Sequence, residues 1–162
     1  RGVTIHRVLE KLCRMAEYPA KQEQLTAFRQ QLEQETCKRT PDYTTDIESC
    51  IDEALATYNE QQLAAVFLGT DARDSYDELP VMYRDGDTAV YGVIDRVIIH
   101  SDHILIVDYK SHDFDEQTEL TLIAERFRQQ LEYYRKGVER LWPGIRTEIG
   151  VVFTRKRRLV ML

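Results

Sequence analysis

Apolar residues in the first third of the chain recur at the spacing of amphipathic helices. This periodicity predicts four helical segments, at residues 5–16, 25–32, 47–58 and 61–68. Pro19 ends the first of them, because proline cannot continue a helix. Asp42 or Thr44 is the expected N-cap of the third, since both side chains can accept a hydrogen bond from a free backbone N–H.

After a polar break at residues 69–74, the period changes to two, which is the spacing of β-strands. Turn signals at residues 85–87 and 101–102 divide this region into a meander. The predicted strands are residues 76–84, 90–100, 103–110, 148–154 and 159–162, with one long helix over residues 119–141. Pro80 cannot donate a ladder hydrogen bond, so it predicts an edge strand or a bulge. The order of elements indicates an α/β or α+β class.

The chain has 162 residues, enough for one domain with one core. We expect a single domain over residues 1–162, with a mainly helical region at 1–70 and an αβ region at 75–162. No apolar run reaches the roughly 20 residues of a membrane helix, so no membrane association is expected. The chain starts at Arg1 without an initiating Met or a signal core, which is typical of a fragment of a longer protein.

The net charge of −6 argues against avid binding of nucleic acid by this chain alone. Abundant carboxylates are, however, the ligands that a hard divalent cation prefers. One basic run, at residues 155–158, is as consistent with a solvated turn as with a phosphate contact. The three cysteines form no CxxC pair, so neither a zinc site nor a disulfide framework is indicated.

Two carboxylates interrupt the most apolar strands. Asp108 and Lys110 are two residues apart, so they share a face of their strand, and the meander brings Asp95 alongside them. Taken singly, Asp95 is more readily explained by a turn cap or a pair with Arg96, and Asp108 by an exposed ion pair. Together they are harder to explain, because a carboxylate in an apolar strand is costly to bury without a cation or several donors. His6 alone is more typical of a surface or satisfied histidine.

Five stretches of the chain resemble, in order, the motifs of RecB- and AddA-like nucleases of the PD-(D/E)XK superfamily. They are Gly2-Val3-Thr4-Ile5-His6-Arg7-Val8-Leu9-Glu10, Glu78-Leu79-Pro80, Gly92-Val93-Ile94-Asp95-Arg96, Ile106-Val107-Asp108-Tyr109-Lys110-Ser111 and Gln130-Leu131-Glu132-Tyr133-Tyr134. Each motif alone is weak, and their combination is specific. The resemblance implies a restriction-endonuclease-like α/β core, with a mixed sheet, preceded by a helical region.

The resemblance also implies a metal centre. It assigns His6, Asp95 and Asp108 as ligands of Mg²⁺ or Mn²⁺, together with the backbone carbonyl of Tyr109. Glu78 would be an outer or second-metal ligand. Such a mixed nitrogen and oxygen site suits these cations.

The remaining motif residues receive roles in catalysis and in DNA binding. Lys110 would position or deprotonate the attacking water and offset negative charge in the transition state. Gln130 would contact the DNA strand or support the site, and Tyr134 would do the same. Both are equally compatible with ordinary helix positions. By this resemblance Asp95, Asp108, Lys110, Glu78 and Gln130 form the catalytic set.

The resemblance carries expectations about cofactors, partners and biological setting. Relatives with an iron–sulfur cluster carry one cysteine before and three after the core, whereas all three cysteines here precede residue 51, so no iron–sulfur cluster is expected. The implied function is exonucleolytic processing of DNA ends in double-strand-break repair and recombination, in the bacterial cytoplasm. An ATP-dependent helicase motor would lie upstream in the full-length chain and deliver DNA, and a RecC- or AddB-like partner subunit would complete the enzyme.

Two alternatives remain open. The first is a catalytically silent nuclease-fold module that binds DNA or another protein chain, although His6, Asp95, Asp108 and Lys110 are all present. The second is a stand-alone nuclease with a different substrate.

Overall fold

The computed structural model describes residues 1–15, 18–39, 46–69, 71–113 and 119–162, without the side chains of residues 36–39. The chain forms two compact units, Arg1–Leu68 and Gly69–Leu162. The first is helical, and the second contains the sheet.

The helical unit follows the predicted periodicity. Its helices are α1 (Gly2–Met15), α2 (Thr26–Arg39), α3 (Ile47–Tyr58) and α4 (Ala64–Phe67), with 3₁₀ turns at Gln22–Leu25 and Gln61–Leu63. Helix α1 packs on α3 and buries its apolar stripe, which includes Ile5 and Leu9. Asp46 caps α3, because its Oδ1 accepts a hydrogen bond of 3.0 Å from the backbone N–H of Ser49. The predicted caps Asp42 and Thr44 lie outside the described residues.

The second unit is built on a five-stranded mixed sheet, which confirms the predicted α/β class. Its strands are β1 (Asp74–Asp85), β2 (Thr88–Ile99), β3 (His103–Lys110), β4 (Arg146–Phe153) and β5 (Arg158–Met161), in the order β1-β2-β3-β4-β5. Strands β3 and β4 are parallel, and all other neighbours are antiparallel. The parallel pair needs a crossover, and helices supply it.

Strand β1 lies at an edge of this sheet, as Pro80 predicted. The β1–β2 hairpin turns at Gly86, whose φ of +61° is in the left-handed region that glycine adopts without strain.

The crossover from β3 to β4 contains two helices, α5 (Leu120–Glu125) and α6 (Arg128–Leu141), instead of the single helix predicted over residues 119–141. The backbone N–H groups of Arg126 and Phe127 donate to the carbonyls of Ile123 and Ala124, three residues back, at 3.1 and 2.9 Å. These i to i−3 bonds interrupt the α-helical hydrogen-bond pattern, so α6 begins as a separate helix. The apolar period alone could not reveal the break, because it continues across it.

Helices α5 and α6 cover one face of the sheet and form its main core. The buried members of this cluster are Val81, Ile94, Val97, Ile99, Ile104, Ile106, Ile123, Ala124, Leu131, Tyr134, Val138, Ile149, Val151 and Phe153. Each fully buried aliphatic side chain contributes roughly 1.5–3 kcal/mol through the hydrophobic effect. This core holds the strand ends that carry the polar residues described next.

Candidate active site

Strands β2 and β3 separate where their carboxylates begin. Their ladder runs from Ile99↔Ile104 to Arg96↔Val107, and the same register would next pair Asp95 with Asp108. Asp95 instead accepts a hydrogen bond of 2.7 Å from the backbone N–H of Tyr109 through its Oδ2. The meander therefore places Asp95 beside Asp108, as the sequence predicted. We call this end of the β2–β3 pair the open end.

Glu78 on β1 lies across from Asp95. The β1–β2 ladder pairs Asp77 with Arg96 and Leu79 with Ile94, so Glu78 and Asp95 share the position between them. Glu78 has a φ of +53°, a conformation that costs a non-glycine residue on the order of 1–3 kcal/mol. A carboxylate oxygen of Glu78 and one of Asp95 lie within 4.8 Å of each other.

The unusual backbone at Glu78 coincides with a shift in which residues reach the core. Tyr76 and Leu79 on β1 both pack against the core cluster, as do Ile94 and Val97 on β2. These residues are three apart, whereas a regular strand returns to the same face every two. The alternation therefore changes in both strands at the level of Glu78 and Asp95. At this level, Glu78 and Asp95 therefore lie where the regular alternation of core-facing and outward-facing residues is interrupted.

Asp108 and Lys110 form a shielded ion pair at the end of β3. The Nζ of Lys110 lies 2.6 Å from Oδ2 of Asp108, and Asp108 is only 4% exposed. The same Nζ lies 4.5 Å from the centroid of the Phe127 ring, within the range of a cation–π interaction. Phe127 occupies the break between α5 and α6, so this break positions an aromatic face over the lysine.

Helix α6 brings Tyr134 and Gln130 to the same end of the sheet. The Nε2 of Gln130 donates to the hydroxyl of Tyr134 at 2.9 Å. Burial raises the pKa of Tyr134; the hydrogen bond from Gln130 lowers it, and the negative charges of Asp108, Asp95 and Glu78 raise it further. The phenol therefore stays protonated at neutral pH.

Gly92 gives this tyrosine its space. A methyl group added at Gly92 would lie 2.6 Å from Cε1 of Tyr134, well inside van der Waals contact. The glycine of the Gly92-Val93-Ile94-Asp95 motif and the tyrosine of the helix motif are thus in direct contact, which explains why they occur together here.

Arg96 pairs with a carboxylate on the neighbouring strand β1. It is only 3% exposed and pairs with Asp77 at 2.5 Å, between NH1 and Oδ1. The pairing of Asp95 with Arg96 that the sequence offered stays a prediction. Periodicity could not indicate Asp77, because the match depends on the cross-strand register.

The donors at the open end suit a divalent cation. Two carboxylates within 4.8 Å of each other repel, and a hard cation between them would remove that repulsion. Glu78 and Asp95 are the residues that the geometry of the second unit offers as ligands. His6 lies half-buried on α1 in the first unit, and its role as a ligand stays a prediction.

Tyr109, Gln130 and Tyr134 lie at or near the open end. Tyr109 is 3% exposed, and its backbone N–H donates a hydrogen bond to Asp95. The role of its backbone carbonyl as a metal ligand stays a prediction. The same holds for Gln130 and Tyr134 as DNA contacts. Phe127 falls within the helix predicted over residues 119–141, and nothing in the sequence signalled its place over Lys110. Among the described residues, no helix is long and apolar enough to cross a membrane.

A family model described as the PD-(D/E)XK nuclease superfamily matches residues 1–160. Curated relatives, each named as one subunit of an ATP-dependent helicase/nuclease, are similar over shorter stretches. The protein from Thermoanaerobacter sp. (strain X514) is 28% identical over 87 residues, covering 54% of this chain and 7% of the relative. The protein from Clostridium novyi (strain NT) is 33% identical over 67 residues, covering 41% of this chain and 5% of the relative.

A solved structure, protein VC1899 from Vibrio cholerae, aligns with a TM-score of 0.39 and 14% identity, covering 70% of this chain and 27% of that chain. The chain thus spans less than a tenth of the length of the curated relatives that it matches.

Proposed function

Because the chain belongs to the PD-(D/E)XK nuclease superfamily, we propose that it hydrolyses DNA phosphodiester bonds with a divalent metal at the open end of β2 and β3. The observation that carries this proposal is the convergence of Glu78, Asp95, Asp108 and Lys110 on one end of the sheet. A carboxylate cluster can hold the metal for hydrolysis of a phosphodiester, and the half-buried amine of Lys110 lies beside it.

Glu78, Asp95 and Asp108 would hold Mg²⁺ or Mn²⁺, with His6 and the carbonyl of Tyr109 completing the ligand set. When bound, the metal polarises the scissile phosphate and lowers the pKa of a coordinated water. The hydrogen bond from the N–H of Tyr109 to Oδ2 of Asp95 orients this carboxylate, which would hold it in position for a cation.

Lys110 would act on the attacking water and on the charge that develops at the phosphate. Its ammonium is held between Asp108 and the Phe127 ring, so little reorganisation is needed when DNA arrives. Gln130 and Tyr134 would contact the DNA strand, because the protonated phenol and the amide both offer donors to phosphate oxygens.

The wider setting rests on the relatives. Their names describe part of an ATP-dependent helicase/nuclease, so the nuclease would act on DNA supplied by a helicase motor in the same longer chain. We propose exonucleolytic processing of DNA ends in double-strand-break repair and recombination, in the bacterial cytoplasm, with a RecC- or AddB-like partner subunit.

A nuclease assay on linear single-stranded DNA tests the activity. We expect cleavage with magnesium or manganese, none with a chelator, and binding without cleavage in calcium. Asp108→Asn and Lys110→Ala should each lower the rate by about 10²–10⁴-fold. Leu122→Ala is a matched control, because Leu122 is exposed on α5 and should leave the rate unchanged. DNA binding without cleavage by the parent protein in every metal would instead indicate a silent module.

A further inference from the structure

Four consecutive cations lie at the turn between β4 and β5, the last of them as the first residue of β5. We call it the basic turn, and its residues are Arg155, Lys156, Arg157 and Arg158. Its ends are fixed by the pairing of Phe153 with Arg158 and by a hydrogen bond of 3.2 Å from the N–H of Arg157 to the carbonyl of Thr154. Arg157 has a φ of +50°, which is unfavourable for arginine, so the turn holds its cations at some conformational cost.

The basic turn lies beside the catalytic end of β3. Strand β4 runs parallel to β3, and Phe153 pairs with Lys110. The N–H of Thr154 then donates to the carbonyl of Lys110 at 3.0 Å. Lys156 and Arg157 are two and three residues further on, no more than about 11 Å along the chain from Thr154. The basic turn therefore starts at the residue that follows Thr154, which is bonded to Lys110.

Most of the turn's charge has no acidic partner in the described part of the chain. Arg155 pairs with Asp113. Lys156, Arg157 and Arg158 form no ion pair with an acid among the described residues, and Arg157 and Arg158 are exposed.

Three other cations of the same unit each have an acidic partner. Arg135 and Lys136 on α6, and Arg146 at the far end of β4, each lie within 3.1 Å of a carboxylate oxygen. Lys156, Arg157 and Arg158 differ from these three cations, which already have an acidic partner. The chain as a whole is acidic, with a net charge of −6, so a bound polyanion would otherwise meet a repulsive surface.

We propose that the basic turn binds the phosphates of the single-stranded DNA whose scissile bond lies at the open end. This inference rests on the proposed nuclease function and adds a binding surface to it. Three cations beside a carboxylate-rich site would offset the repulsion between those carboxylates and the DNA backbone. Because phosphates are common to all sequences, the contact would be independent of base sequence.

The test measures how salt weakens DNA binding by the full chain. A short fluorescent single-stranded oligonucleotide is titrated with protein in calcium, over a series of salt concentrations. The variant combines Lys156→Gln, Arg157→Gln and Arg158→Gln. The matched control combines Arg135→Gln, Lys136→Gln and Arg146→Gln, which removes the same charge from neutralised positions.

We expect the plot of log affinity against log salt to become shallower by about 0.7 per lost contact, or about 2 in total, only in the basic-turn variant. An unchanged slope in that variant, an equal change in the control, or no DNA binding by the parent protein would overturn the proposal. The comparison needs no turnover. A shallower slope without cleavage in magnesium would therefore refute the proposed nuclease activity while leaving the binding surface intact.

Discussion

The two ends of the β2–β3 pair differ in what they stabilise. At the turn end, the ladder is complete, Ile99 faces Ile104, and the N–H of His100 donates to the carbonyl of His103 at 2.9 Å. At the open end, the ladder stops after Arg96 and Val107, and the carboxylates Asp95 and Asp108 are the next residues on the two strands. Apolar burial favours the first arrangement, whereas clustered carboxylates oppose the second.

The two ends of this pair of strands therefore have different roles. The turn end supplies stability, and that stability holds together an open end that would separate by charge repulsion alone. The backbone at Glu78 belongs to the same pattern, because its positive φ is unfavourable and lies at the carboxylates. Substitutions at the open end should therefore lower activity with little loss of stability. Substitutions at the turn end should lower stability with little loss of activity per folded molecule.

The largest effect on activity is expected from Asp95→Asn. The amide oxygen can still accept the hydrogen bond from Tyr109, but the negative charge is lost. Cleavage should fall by at least about 10²-fold, while the free energy of unfolding without metal stays constant or rises by up to about 1 kcal/mol, because repulsion from Glu78 is relieved. A cleavage assay and urea denaturation check this. Full cleavage by the variant, or a loss of more than about 2 kcal/mol in its free energy of unfolding, would refute the proposed difference between the two ends.

The largest effect on folding is expected from Ile104→Ala at the turn end. Removing a fully buried side chain from the core should cost about 2–5 kcal/mol. Urea denaturation measures the loss, and cleavage assayed well below the melting temperature should match the parent per folded molecule. If cleavage per folded molecule fell together with the free energy of unfolding, the two ends would not have separate roles.

A smaller effect on activity is expected from Phe127→Leu. Leucine keeps the apolar contact but removes the aromatic face over Lys110, a contribution of about 0.5–2 kcal/mol. Cleavage should fall by roughly twofold to thirtyfold, and Phe127→Tyr should restore it. Stepwise fluorination of this ring should lower the rate step by step, because fluorine weakens the ring's negative face. Equal rates for leucine, tyrosine and fluorinated rings would show that only apolar volume matters.

The smallest effect is expected from Tyr134→Phe, and it depends on pH. Because the pKa of Tyr134 is raised in the folded protein, its contribution to stability is present below the unfolded pKa of about 10 and is lost as pH rises through the folded pKa. Urea denaturation across this range should show a weaker alkaline loss in Tyr134→Phe than in the parent. A variant curve that is parallel to the parent curve would contradict the raised pKa.

The sequence predicted the strands and the position of the carboxylates well. Strand β3 was predicted at residues 103–110, where it lies, because its apolar run is bounded by strong turn signals. The meander then fixed Asp95 beside Asp108, since antiparallel neighbours share a register set by the turn between them.

Features that depend on tertiary contacts were not predictable. The positive φ of Glu78, the partner of Arg96 and the helix break at Phe127 leave no local signal in the apolar pattern. Each of them depends on which side chain the folded sheet brings opposite, and periodicity averages over such single positions. Two of these, at Glu78 and Phe127, lie beside the candidate catalytic groups.

Metal binding at the open end is the most direct test of the account. Calorimetric titration of the full chain with manganese should show binding in the parent protein and none in a Glu78→Gln/Asp95→Asn variant, with the urea-denaturation midpoint of metal-free protein no lower in the variant. Equal manganese binding by both proteins would contradict the assignment of these two carboxylates as the metal site.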